Sequence, residues 1–480
     1  MRRKSGVIGL IVAILVVAAV VLGVQYFTST GLFFTPGKII FSDSLSADEK
    51  TFIDEIIVNH PDLQLKHDVT ITKELTHNRV GGLLYQIHVP VTDFYAPLTS
   101  ITWAEAENYQ FIPFDTLTNQ QKLLAVEGEY FLDTLNSGAI FDYFVVTGSD
   151  EADADKITTY IQAELPAFPD KDAVLTIAQT GVTALSRYMN SKLSQVGQAT
   201  YFAEKIGPFL SSFDLTHTSN ESSFSPAANS SNICSKPAMI DALTAIGLDI
   251  VELTGNHNQD CGDQAALDTI AKYQELGIQI VGGGATATEA AKPLQISKKG
   301  NNVTLLGYNL STGGYTLDNT PGANYYTHEK AIADIAAAKA RGDTVIVDVQ
   351  YYECNNYDNT NDSRVCDYAN SSAGDQIGLF RELIDMGADI VIGTAAHQPQ
   401  TYELYHNGAI YYGLGNLFFD QIWWPGTTRS LILIHYFYNN QLIQTRIVPT
   451  IYDNSMQTSL MDTTSAEAFI NRLNQARPTI

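Results

Sequence analysis

An amide, an imidazole and a carboxylate stand within a few residues of one another in the stretch Val251-Glu252-Leu253-Thr254-Gly255-Asn256-His257-Asn258-Gln259-Asp260-Cys261-Gly262. The apolar pair Ile250-Val251 leads into it and a helical pattern follows, so Asn256, His257 and Asp260 fall in a loop at the carboxyl end of a strand. Ligands and catalytic groups collect at that end in α/β folds. A neutral imidazole and an amide oxygen shortly before a carboxylate can hold a metal or steer an oxyanion. The same residues also read as a polar turn before a helix, with Asp263 as its N-cap.

The elements that position this loop repeat a strand–loop–helix rhythm from residue 169 onward. Ala173–Ala178, Asp249–Leu253, Ile278–Val281, Thr344–Val349 and Asp389–Ile392 read as buried strands. Helical stretches between them end at Gly277, Gly342 and Gly387, as helices stopped by a left-handed residue do. Such βαβ units predict a partly parallel sheet covered by helices. Two hairpins follow, one around His406-Asn407-Gly408 and one around Asn439-Asn440. Residues 38–168 read as a separate small α/β domain, opened by a capping box at Ser46-Ala47-Asp48-Glu49. Its rhythm weakly resembles half of an extracellular solute-binding domain. Residues 28–37 read as a linker and 456–480 as a tail with a capped surface helix.

The 480 residues suit two or three domains, and 45% hydrophobic content allows a large core. Acidic residues outnumber basic ones 52 to 28, a net charge of −24. A body that acidic is a poor nucleic-acid binder, and it repels anionic polymers unless a local basic patch or bound cations intervene.

Met1-Arg2-Arg3-Lys4 is basic, and Val7 to Val24 is an unbroken apolar stretch. As a helix it rises about 27 Å, close to a bilayer core. With Gln25-Tyr26-Phe27 as interfacial flank, it reads as an uncleaved anchor: a single-pass protein of the cell membrane, its bulk extracytoplasmic. A cleaved signal peptide is the alternative. Four cysteines in an exported chain suggest two disulfides with three possible pairings. Cys354 and Cys366 bracket a loop rich in Asn and Asp and are paired on that ground. Cys234 with Cys261 then ties a loop to the Asn256-His257 stretch.

Five stretches together resemble the CapA family, capsule-synthesis proteins linked to poly-γ-glutamate. They are Gly181–Arg187; Asp214–Thr216 with Asn220-Glu221; Leu253–His257 with Asp260 and Gly262; Val345–Glu353; and Asp389–His397 with Tyr412–Gln421. A further match is Gly282–Ala285 with Glu289-Ala290. The resemblance covers residues 170 to about 450. It implies a calcineurin-like metallophosphatase fold, a four-layer sandwich with mixed sheets over residues 169–455, and two cations about 3.5–4 Å apart on loops at the strand ends.

The departures bear on that site. Similar proteins carry Asp after the first strand where this chain has Val182, a His where it has Gln350, and a Gly-His where it has Gly393-Thr394. Val, Gln and Thr are poor divalent-cation ligands. By resemblance, Glu221, Asn256, His397 and Glu353 remain as metal ligands, with His257 and Asn256 as catalytic groups. Asn220, Asp260, Asn416 and Asp420 are the supports, and His217 is a substitute for a lost ligand. That set suits one divalent metal (Mn, Zn, Fe or Ca) or none.

The expectation is therefore a membrane-anchored protein of capsule or poly-γ-glutamate synthesis or export, with a degenerate cleft and with the polymer or other capsule-synthesis proteins as partners. The alternative is a metal-dependent phosphoesterase-type hydrolase of the cell envelope.

Overall fold

A computed structural model describes residues 37–61, 63–311, 313–351 and 375–478. The apolar stretch Val7–Val24, Glu353, Cys354 and Cys366 lie outside the described residues, and with them the expected anchor, one expected ligand and one expected disulfide. Among the described residues no helix is long and apolar enough to cross a membrane.

The chain forms two compact units. The smaller takes residues up to Thr76, Val80–Ile87 and Phe141–Ala167; the larger takes His77–Arg79, His88–Ile140 and Phe168–Ile480. The expected small domain, 38–168, is thus divided, and His88–Ile140 groups with the larger unit. The reason is packing: Phe94 joins the larger unit's core, and Asp133 pairs with Arg446 at 2.8 Å.

In the smaller unit the expected capping box is formed. Ser46 N–H donates to Glu49 Oε2 at 2.6 Å, and Glu49 N–H donates to Ser46 Oγ at 3.2 Å. The helix Ala47–Asn59 buries Ile53 and Ile56, and the helix Glu151–Glu164 buries Ile157 and Ile161, against Val69, Ile71 and Phe144.

The larger unit carries the strand–loop–helix rhythm. The strands of its two facing sheets are β1 (Leu175–Thr183), β2 (Leu215–Asn220), β3 (Leu248–Glu252), β4 (Gln279–Val281), β5 (Leu294–Lys298), β6 (Asn301–Asn309), β7 (Thr344–Gln350), β8 (Ile390–Gly393), β9 (Tyr402–Tyr405), β10 (Gly408–Tyr411), β11 (Asn416–Phe418), β12 (Arg429–Tyr438), β13 (Gln441–Ile451) and β14 (Ser459–Leu460). One sheet has the order β4-β3-β2-β1-β12-β13-β14, with β11 also on β1; the other has the order β5-β6-β7-β8-β10-β9. β1 to β4 pair in parallel, as do β6, β7, β8 and β10, while β12 runs antiparallel to β1.

Side chains alternate across a strand, so each sheet has two apolar faces. Leu175, Ile177 and Ile250 of the first sheet and Leu305, Ile346 and Ile390 of the second share one core. Leu306, Val345, Val347 and Val349 turn the other way, onto α3 (His328–Ala340) and α4 (Gln376–Asp385). The helices α1 (Tyr188–Val196) and α2 (Asp263–Glu275) belong to the loops after β1 and β3.

Two local expectations are corrected. Asp263 is the first residue of α2 rather than its N-cap; Gly262 holds that position at φ +85° with no side-chain cap, a conformation natural to glycine. The tail helix α5 (Thr463–Gln475), capped by Asp462, is no surface appendage, because Phe469 and Leu473 are buried in the shared core.

Candidate functional site

The inner faces of the two sheets change character along the strands. β1 reads Leu175, Ile177, then Gln179; β3 reads Ile250, then Glu252; β7 reads Ile346, then Asp348 and Gln350; β2 carries Leu215, then His217. The alternation that buries the apolar residues also buries the polar ones, all at 1% exposure or less. Gln179 Nε2 donates to Asp348 Oδ1 at 2.5 Å, and His217 Nε2 lies 3.4 Å from Asp348 Oδ2. His217, expected as a substitute ligand, therefore stands in this buried network. Gln179, Glu252 and Asp348 were missed; the signal was a polar residue at an inward position of an otherwise buried strand.

Burial, followed by the charge of Asp348, pushes the Glu252 carboxyl well above the usual carboxylate range, with Glu221 adding to the effect. The folded protein thus holds a proton on Glu252 more tightly than the unfolded chain does. That contribution to stability is fullest below the unfolded-state value of about 4.3 and is lost as pH rises through the folded value. Glu252→Gln keeps an acceptor for the Thr254 N–H, now at 2.9 Å from Glu252 Oε1. Its melting temperature is expected to fall less than that of the wild type between pH 5 and pH 8. Parallel melting curves with equal slopes would refute this.

Above the network lie the loops at the strand ends. Gly255 brings the Asn256 loop onto Glu221: a Cβ there would stand 2.8 Å from Glu221 Cα. Glu221 is 1% exposed, and its Oε1 accepts from Gln350 Nε2 at 3.0 Å. The same nitrogen donates to Asn256 Oδ1 at 3.0 Å, while Gln350 Oε1 accepts from Thr394 Oγ1 at 3.2 Å. Two of the three residues in place of expected ligands thus tie the site together. The third, Val182, is fully buried and brings no donor atom.

His257 Nδ1–H donates to Asp260 Oδ2 at 2.8 Å, which turns Nε2, the lone-pair nitrogen, towards Asn256 Nδ2 at 3.4 Å. His397 Nδ1–H donates to Asn416 Oδ1 at 2.9 Å, and the Asn416 amide is oriented by its own donation to Thr427 O at 3.1 Å. Asp420 accepts from Arg187 Nε and from the Tyr188 N–H, each at 3.1 Å, and so holds the start of α1. Asn220 points away from the cleft, its Nδ2 donating to Ser222 O and Tyr273 Oη at 2.9 Å. The Cys234–Cys261 disulfide ties the loop after β2 to the end of the His257 loop, as the cysteine pairing anticipated.

A divalent cation takes oxygen and imidazole lone pairs. Glu221 Oε1 and Asn256 Oδ1 converge on one position, and Gln350 Nε2 holds it. An amide NH2 presents hydrogens to those oxygens where a cation would present charge. At that position the described residues give two of the expected ligand oxygens a shared amide donor. Among the described residues, the His/carboxylate group able to converge on one ion is His67, Asp150 and Asp153, in the smaller unit. Its carboxylates also serve the backbone. Asp153 accepts from the Lys66 and His67 N–H groups at 2.8 Å, and Asp150 caps the helix Glu151–Glu164.

Facing mixed sheets, helices outside and a polar cleft at parallel strand ends define a mixed α/β protein that fits a metallophosphatase-like fold. The profile of the family described as "Bacterial capsule synthesis protein PGA_cap" matches residues 176–421, more than half of the chain, and the chain belongs to that family. It is 24% identical over 288 residues to the "Capsule biosynthesis protein CapA" of Bacillus anthracis, covering 57% of this chain and 67% of that protein. It is 26% identical over 302 residues to the "PGA biosynthesis protein CapA" of Bacillus subtilis (strain 168), covering 61% and 73%. A "probable polyglutamine synthesis accessory protein" of Mycobacterium tuberculosis is 27% identical over 198 residues, covering 38% and 48%. Among solved structures, a hypothetical protein from Thermus thermophilus aligns over 57% of this chain and 98% of its own at 12% identity, with a TM-score of 0.33.

Proposed function

We propose that this protein is an accessory component in making or exporting an anionic capsule polymer of the poly-γ-glutamate kind, and that its cleft does not run metal-dependent hydrolysis. Family membership and the printed names of the relatives support the first part. One observation carries the second: Gln350 Nε2 donates to both Glu221 and Asn256, where a cation would need their lone pairs. The cleft then offers hydrogen-bond donors and acceptors to a polymer or partner. In this reading Val7–Val24 anchors the chain in the cell membrane with the bulk outside. The Cys234–Cys261 disulfide supports that placement, since disulfides persist in oxidising compartments.

The test is polymer output from cells whose sole copy carries His257→Ala and His397→Ala. Output close to wild type is expected, with deletion of the gene abolishing it. Loss of a general acid–base imidazole costs about 100-fold or more, and a fall of that size would overturn the reading. The second reading, a metal-dependent phosphoesterase, draws on the His257–Asp260 pair, because an imidazole oriented by a carboxylate is the geometry of a proton-transfer group.

A further inference from the structure

Lys73 is held between two buried carboxylates in the smaller unit. Its Nζ donates to Glu49 Oε1 at 2.8 Å and lies 2.9 Å from Asp142 Oδ2. The Lys73 side chain is 22% exposed, whereas those of Glu49 and Asp142 are 6% and 3% exposed. Alternation along the strands brings them together. Val69 and Ile71 of the strand Val69–Asn78 are buried in the unit's core, and Lys73 is next on that face. Asp142 shares a face with Phe144 on the strand Ser137–Gly148, the neighbour of Val69–Asn78 in the sheet. Glu49 comes from the helix Ala47–Asn59, where the capping box fixes its other oxygen on the Ser46 N–H.

As a plain ion pair the triad leaves one carboxylate charge in excess beside an apolar wall. That wall is aromatic: the Tyr85 and Phe144 ring centroids are 4.6 Å apart, and Phe52 lies 5.4 Å from Tyr85. Burial and then the charge of Glu49 raise the Tyr85 hydroxyl, and Lys73 and Asp142 act on it too, so the wall faces all three groups. Buried charges are costly even when paired. Condensing the amine with one carboxyl replaces an ammonium and a carboxylate by a neutral amide and releases water, which removes that cost.

We propose that Lys73 and Asp142 are a modification site, at which the folded chain joins itself by an intramolecular isopeptide bond with Glu49 as the proton carrier. Lys73 hands one ammonium proton through Glu49 to Asp142, which leaves an amine facing a carboxyl group. The amine lone pair attacks Asp142 Cγ, and the carbonyl electron pair moves onto oxygen. A second Lys73 proton passes through Glu49 to the departing hydroxyl, the carbonyl re-forms and water leaves. One C–N bond forms and one C–O bond breaks. Nothing is oxidised or reduced, and no co-reactant is consumed.

Burial presses the Lys73 ammonium down, but its hydrogen bonds to Glu49 and Asp142 outweigh this and hold it above the ordinary lysine range. The amine is therefore scarce and the reaction slow. Proximity compensates, since well-oriented intramolecular pairs reach effective molarities of about 10⁵ M or more. The bond closes the stretch of chain that leaves the smaller unit at Ile87 and re-enters it at Phe141. It thus restricts the unfolded chain as a disulfide does.

The experiment measures the intact mass of the purified full-length chain, with disulfides reduced, after prolonged incubation of the folded protein at mildly alkaline pH. The wild type is expected to be lighter than its sequence by one water, and its digest to contain a branched peptide joining Lys73 to Asp142. Lys73→Arg and Asp142→Ala are expected to keep the full mass. Glu49→Gln is expected to form the bond about 100-fold or more slowly, with circular dichroism as the check on folding. Full mass in the folded wild type overturns the proposal, whatever the variants do. So does a loss of water that persists in Lys73→Arg, because Asp142 would then dehydrate without the amine. A folded Glu49→Gln that reacts as fast as the wild type overturns the role given to Glu49.

Discussion

Gln350→Glu is expected to lower stability at neutral pH by about 3–5 kcal/mol, because it replaces a shared donor with a third buried acceptor. In the wild type, Gln350 Nε2 serves Glu221 Oε1 and Asn256 Oδ1 at 3.0 Å each. In the variant those oxygens lose their donor and face a new carboxylate, with Glu221 already 1% exposed and Asp348 fully buried nearby. Protonation relieves the repulsion, so the deficit should shrink as pH falls. The variant also assembles two carboxylates and an amide oxygen on one position, which is a ligand set for a hard or borderline cation. Millimolar Mn2+ is therefore expected to raise the variant's melting temperature and to leave the wild type unmoved, since a ligand stabilises only the state that binds it. Thermal unfolding with and without Mn2+ and chelator checks both halves. A variant as stable as wild type without metal would show that the amide does not hold the cleft together.

Removing the Cys234–Cys261 bridge is expected to cost about 3.5 kcal/mol, given a sequence separation of 27 residues. The effect should reach the cleft. Cys261 follows Asp260, whose carboxylate orients His257 at 2.8 Å, and Asn258 anchors the same loop through Leu253 O and Gly255 O at 2.9 and 3.1 Å. Denaturant unfolding of Cys234→Ala/Cys261→Ala, compared with the oxidised wild type, measures the loss. Hydrogen exchange should quicken at residues 256–262 before it does in β1 or β7. Equal midpoints for the variant and the oxidised wild type, or exchange unchanged in that loop, would refute the prediction.

Local order was legible. The helix-ending residues Gly277 and Gly342 take φ of +73° and +81°. The Asn439-Asn440 hairpin turns through φ of +51° and +60°, joining β12 to β13. The motif residues Asn256, His257, His397 and Asn416 all fall at strand ends or in the loops beyond them. Each of these follows from neighbours in sequence: turn chemistry, strand alternation and the stop signals of helices.

The sequence by itself determined the strands β1, β3, β4, β7 and β8 and the two closing hairpins, where the helices between those strands stop, how the cysteine of the His257 loop pairs, and which expected ligands are replaced. Only the tertiary structure decided what those missing ligands became. Val182 vanished into the core, whereas Gln350 and Thr394 formed a hydrogen-bonded link between loops, reaching from Gln350 to Glu221 across 129 residues of sequence. The insertion of β12 beside β1, the docking of α5 and the passage of His88–Ile140 into the larger unit were likewise decided there. The physical reason is the range of the forces. Alternation and capping act between neighbours, so they can be read along the chain. Whether an inward polar side chain meets water, a cation or another amide depends on which strand faces it across the sheets.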